Sequence, residues 1–269
     1  MLLREVEYAR PTSVEDVLRL LSEHEGARAL AGGQTLINVM KARAASPDVL
    51  VDLNGLDDLR GIDLASDGRL TLGAMVTYTE LVESAEARAR PILGEVCLQI
   101  ADVQVRNRGT VGGNLCANDP TNHLPPLMVA LGATMTIYGA DGERQVPADE
   151  FFLGVYMTAV GPGELLTRIS IPPGRSDGFA SVPIGRDGTC IVNAAASLDS
   201  GSPRIALGCV DAVPVLVTPD SAERDAVREA VRAANLNPPS DVHASADYRR
   251  HLAEVLALRA VRAAKERAS

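Results

Sequence analysis

The chain has 269 residues, 46% hydrophobic and 23% charged, enough to bury a real core in one large domain or two smaller ones. A net charge of -9 from scattered acids gives no basic stripe for nucleic acid, and 3% aromatics with no tryptophan give no stacking platform. No run reaches the roughly 18 apolar residues of a membrane span, and the acidic start "MLLREVEYARP" has no signal-peptide core, so a cytoplasmic protein is expected.

In chain order, Thr12 to Glu25 reads as a helix, because Val14, Val17, Leu18 and Leu21 make one apolar stripe and Ser13 can cap it. "ARAL" is a short strand leading into Gly32-Gly33, and "GGQTLINVMKAR" opens a short helix. "DVLVDLNGL" reads as a strand and a turn at Asn54-Gly55, and "GRLTLGAMVTY" as another strand. Residues 77–100 are largely helical, with a break before Pro91. "ATMTIYGADGERQVP" predicts a hairpin turning at Asp141-Gly142, and "GELLTRISIPP" a strand closed by its prolines. "PPGRSDG" is the candidate domain boundary. Beyond it, "TCIVNAAASLD", "RIALGCV" and "PVLV" are short strands, followed by helices near Ala222 to Ala234 and Tyr248 to Arg267.

Two glycine pairs stand out, one in "ALAGGQTLI" and one in "VRNRGTVGGNLCANDP". Glycine takes positive φ without strain, and successive exposed N–H groups form a nest for phosphate. Two such loops brought together would grip a diphosphate from both sides. Each pair taken alone is better explained by a tight turn. Neither is a Walker A loop or the G-x-G-x-x-G dinucleotide fingerprint. Arg106 and Arg108 flank Asn107 and either neutralise phosphate or pair with carboxylates. Asn118 and Asp119 are candidates to cap a helix starting at Pro120. His24 and His123 have no acid partner by spacing, and His251 reads as a helix-surface residue. Cys97, Cys116, Cys190 and Cys209 form no CxxC pair and read as buried free thiols. With no triad and no metal spacing, the chemistry is expected to belong to a bound cofactor.

These residues carry a family resemblance. "YARPTSVEDVLRLLSEHEGARALAGGQTLI", "VLVDLNGLDDLRGI", "LTLGAMVTYTEL", "QVRNRGTVGGNLCANDPTNHLPPLMVALGA", "ELLTRISIP" and "LGCVDAVPVLV" resemble the FAD-binding medium subunit of the molybdenum hydroxylases, the carbon monoxide dehydrogenase and xanthine dehydrogenase type. The resemblance implies an α+β fold. It divides the chain into an FAD-binding region over residues 1–174, with subdomains of about 1–57 and 58–174, and a smaller αβ C-terminal domain over 175–269. It implies FAD held by Ala31, Gly32, Gly33, Gln34 and Thr35 and by Thr110, Val111, Gly112, Gly113 and Asn114, with Leu166 near the flavin. It further implies electron transfer from [2Fe–2S] clusters on a small partner subunit, through FAD, to an external acceptor. A large partner subunit would carry the molybdenum cofactor, and the whole would assemble as a dimer of heterotrimers.

Two positions depart from the family pattern. His123 stands where the family usually has an FAD-contacting acid, and a neutral imidazole does not replace that charge. Phe179 and Ser181 fall near the family's Tyr-x-Lys segment. A flavin-free scaffold subunit and a stand-alone flavoprotein reductase are the competing readings.

Overall fold

In a computed structural model, residues 3–185, 189–199 and 201–268 are described. The first layer is a parallel sheet ordered β1-β3-β2, built from β1 (Glu7–Ala9), β2 (Ala27–Leu30) and β3 (Val49–Asp52). Its crossovers are helices α1 (Val14–Glu23) and α2 (Leu36–Lys41). The Ser13 side chain caps α1 by accepting from the Asp16 N–H, as the sequence leads one to expect, and Val17 and Leu18 are its buried stripe. β3 is buried along its whole length, because it is the central strand of a parallel sheet covered by the crossovers.

The second layer is an antiparallel sheet ordered β4-β5-β10-β6-β7. Its strands are β4 (Ile62–Leu64), β5 (Leu70–Gly73), β6 (Thr134–Gly139), β7 (Gly142–Pro147) and β10 (Leu165–Ile171). Between β5 and β6 the chain runs through α3 (Tyr78–Glu83), α4 (Ile92–Cys97), α5 (Val103–Arg106), α6 (Val111–Ala117) and α7 (Leu124–Leu131). α8 (Ala148–Phe151) and the small hairpin β8 (Phe152–Gly154) and β9 (Met157–Thr158) precede β10. Thr77 and Glu80 form a complete capping box that starts α3. The long helix expected over 77–100 is interrupted at Ser84 as well as before Pro91. The β6–β7 turn falls at Ala140-Asp141, one residue early, because Gly142 supplies its positive φ of 96° as the first residue of β7.

The third sheet is antiparallel, ordered β11 (Asp177–Ile184), β12 (Thr189–Ser197), β13 (Arg204–Gly208) and β14 (Val215–Val217). Helices α9 (Arg224–Ala233) and α10 (Ala246–Ala268) pack on one face and enclose Val192, Ala194, Ile205 and Leu207. The other face meets α7, every residue of which is buried. A helix apolar on all sides fits only there, between two sheets.

Candidate functional site

The first glycine segment leaves β2 opposite Asp52 and enters α2. Gly33 holds φ 72°, a left-handed conformation that disfavours any residue with a Cβ. Gly32 does something else: a Cβ there would stand 2.1 Å from the Arg108 carbonyl oxygen and 2.9 Å from Gly109 Cα. Its bareness lets the two glycine segments touch. Behind them Asn54 Nδ2 donates to the Ala31 carbonyl at 3.1 Å and to Asp52 Oδ1 at 2.6 Å. The Asn54 N–H donates to the same carboxylate oxygen, and the Tyr8 hydroxyl donates to the other. Burial works against the Asp52 charge, yet the hydrogen bonds from Tyr8 and Asn54 hold its carboxyl below the usual range. Among the described residues, the backbone N–H groups of Gly32, Gly33, Gln34 and Thr35 find no partner. Four successive free donors leading into a helix suit an anion.

The second segment is not a turn. Thr110 is an N-cap whose side chain accepts from the Gly113 N–H at 3.0 Å, and Val111, Gly112 and Gly113 form the first turn of α6. Neither glycine takes positive φ. The N–H groups of Val111 and Gly112 donate to Val76 and Ala74, each at 2.9 Å, so they are already satisfied. Gly112 is bare because a Cβ would stand 2.6 Å from Ala74. A Cβ on Gly113 would stand 2.7 Å from Thr110 Oγ1 and 3.5 Å from Ala31 Cβ, which places α6 directly against the first loop. Asn114 is buried beside it, and its Oδ1 has no hydrogen-bond partner.

The two arginines separate in role. Arg106 donates to the Ile100 and Ala101 carbonyls. Arg108 is exposed, its backbone N–H donates to the Val105 carbonyl, its guanidinium has no partner among the described residues, and its own carbonyl faces Gly32. Asn107 accepts from the Thr79 hydroxyl at 2.6 Å.

Other predicted residues lie around this junction. Asn118 ends α6 in a left-handed conformation and donates to Gly154 and Met157, so it caps the preceding helix rather than the next. Asp119 closes a local turn onto Thr121. Leu166 is buried on β10, opposite Ile137. The strand bulges beside it, and the Thr167 carbonyl accepts from the N–H of Ala74, whose own carbonyl accepts from Gly112. His123 is 2% exposed and faces the third sheet, its ring 5.2 Å from Phe179 and its Nδ1 without a partner. Ser181 pairs with Asn193 in the β11–β12 ladder, and His251 is exposed on α10.

Sequence reading missed Tyr8, Asp52 and Asn54. The only local signal was "DLNG", which reads as a turn, and Asn54 is indeed in one. Its second job, fixing Ala31, depends on β2 and β3 being neighbours. The assembled site offers donors and an exposed cation to an extended anion.

Residues 4–174 match the family described as FAD binding domain in molybdopterin dehydrogenase. The chain is 39% identical to the carbon monoxide dehydrogenase medium chain of Afipia carboxidovorans, over 97% of each chain. It is 34% identical to the nicotine 6-hydroxylase medium subunit of Paenarthrobacter nicotinovorans, over 97% of this chain and 98% of that one. Its fold superposes on a chain of reconstituted CO dehydrogenase from Oligotropha carboxidovorans with a TM-score of 0.92, at 36% identity, over 99% of this chain and all of the other.

Proposed function

The chain belongs to the FAD-binding medium subunits of the molybdenum hydroxylases, and on that premise we propose which of its residues hold the cofactor and how it sits in its complex. It is an α+β, FAD-dependent oxidoreductase subunit working in electron transfer. FAD, when bound, supplies a carrier that takes electrons from iron–sulfur clusters and yields them to an external acceptor.

The residues present fit such a group. The N–H groups of Gly32, Gly33, Gln34 and Thr35 are the donors for the diphosphate, held in place through Ala31 by Asn54. Thr110, Val111, Gly112, Gly113 and Asn114 form the opposing wall. Since the N–H groups of Val111 and Gly112 are already used, this wall contributes shape, the Thr110 hydroxyl and the orphan Asn114 carboxamide oxygen. Arg108 adds positive charge at the contact between the segments. Leu166 backs the site, and His123 closes its far end toward the third sheet. The observation that carries this reading is the run of four unpaired N–H groups pressed against α6.

The medium subunit works with a small iron–sulfur subunit and a large subunit carrying the molybdenum cofactor. We place the assembly in the cytoplasm as a dimer of heterotrimers. We divide the chain at residue 174, with subdomains of about 1–57 and 58–174 before it and the third sheet with its helices after it, in 175–269. A flavin-free scaffold and a stand-alone reductase are both disfavoured by the family match, which spans both glycine segments.

Flavin content of purified variants tests the site. Gly113→Asp puts bulk and negative charge between Thr110 and Ala31 and is expected to yield an assembled complex without flavin. Arg108→Ala, which leaves the fold untouched, is expected to weaken retention about tenfold. Full flavin in a folded Gly113→Asp complex would sink the assignment.

A further inference from the structure

Two cysteines meet where the α6–α7 connection lies against the third sheet. Cys190 is on β12 and Cys209 directly follows β13, with their sulfurs 3.4 Å apart. Cys209 holds φ 63°, a costly conformation for a residue with a Cβ. That backbone turns its thiol toward Cys190. Both thiols also reach the connection itself: Cys209 Sγ lies 2.8 Å from the Pro120 carbonyl and Cys190 Sγ 3.3 Å from that of Thr121. Asn193 Nδ2 donates to Cys190 Sγ at 2.9 Å and to the Asn122 carbonyl at 3.1 Å. The His123 imidazole lies beside Cys190. The Cys190 thiol is held below its ordinary value, first by the hydrogen bond from Cys209 and then by His123 and Asn193, against burial. Cys209 is pushed up by its bond to Cys190 and by burial. A narrow cleft lined by Asn118, Pro120, Pro126, Gly208 and Asp211 opens onto Cys209.

We propose that Cys190 and Cys209 are a redox-active dithiol, closed to a disulfide by hydroperoxide, and that closure releases the Pro120–Thr121 backbone from the third sheet. Two S–H bonds break and one S–S bond forms. The hydroperoxide takes both electrons and both protons and leaves as an alcohol and water, or as two waters when it is hydrogen peroxide. The two thiol hydrogens are shared among Cys190 Sγ and the Pro120 and Thr121 carbonyls; the disulfide has none to share, so both carbonyls lose those donors. In a reducing compartment such a pair is typically transient and sensing rather than structural. Cys97 and Cys116 are the internal controls: burial pushes both thiols up to about 12.

The test treats the purified heteromeric complex with hydrogen peroxide, then maps thiols by alkylation and non-reducing peptide mass spectrometry, with hydrogen exchange over residues 118–124. The expected result is a cross-linked 190–209 peptide lighter by two hydrogens, loss of labelling at both positions together and faster exchange, all reversed by dithiothreitol. Cys97 and Cys116 keep their labelling. In Cys209→Ser the link cannot form, and Cys190 is expected to go on to the sulfinic acid. Full labelling of Cys190 and Cys209 after peroxide, or sulfinic acid at Cys190 without a link in the unmodified chain, would overturn the dithiol. A link with unchanged exchange would overturn the release. None of these outcomes depends on where the cofactor binds.

Discussion

Asn54 shows how one side chain sets a loop it does not belong to. Its carboxamide bonds the Ala31 carbonyl and the Asp52 carboxylate, and Tyr8 fixes that carboxylate from the other side. Asn54→Ala removes two such bonds at about 1 kcal/mol each, so the chain should lose about 2 kcal/mol in denaturant unfolding, and flavin affinity, which depends on the loop they fix, should fall roughly tenfold by titration. The same cluster gives a pH signature. The folded Asp52 carboxyl lies below the 3.8 of a free aspartate, so its contribution is complete above that value and fades as pH falls through the folded value. Flavin release on acidification should therefore begin below about pH 4, whereas Asp52→Asn, which never carries the charge, should hold flavin more weakly at every pH and lose this acid step. The glycine pairs were legible in the sequence as unusual, and Gly33 takes the positive φ expected of it. The reason for Gly32 was not legible, because the atoms that exclude its Cβ belong to Arg108 and Gly109.

Elements with a strong local signal were readable, and those defined by partners were not. α1 has both its stripe and its cap in the sequence, and β12, β13, α9 and α10 lie where pattern placed them. β4 and β11 escaped, one for its shortness and the other because its run "DGFASVPI" has a half-buried face and a proline. The second glycine pair misled for a physical reason: glycine is a poor helix former, yet α6 tolerates two because Ala74 and Thr110 leave no room for a Cβ. Arg90 shows what joins the layers. It follows the short 3-10 turn Ala87–Ala89 and forms a two-pronged pair with Asp177 of β11 at 2.8 and 2.9 Å, also bonding Ser197 and the Pro172 carbonyl. Both side chains are buried, at 4% and 1% exposure. Arg90→Ala strands a buried carboxylate and should cost about 3–5 kcal/mol in denaturant unfolding, while replacing both residues by apolar ones of similar volume should cost less. Equal losses would mean that the bonds to Ser197 and Pro172 dominate.

At the scale of the molecule, three sheets stack so that α7 is enclosed between the second and third, while the first sheet delivers its loop to α6. A family match over residues 4–174 and superposition over 99% of the chain fit a subunit whose chemistry is lent by its cofactor. The most direct test of the central claim is cofactor extraction and a visible absorption spectrum on the complex purified after co-expression with its partner subunits. The account predicts one FAD for each copy of this chain, with iron–sulfur absorption brought by the small subunit. An intact complex that stays without flavin in excess FAD would contradict it.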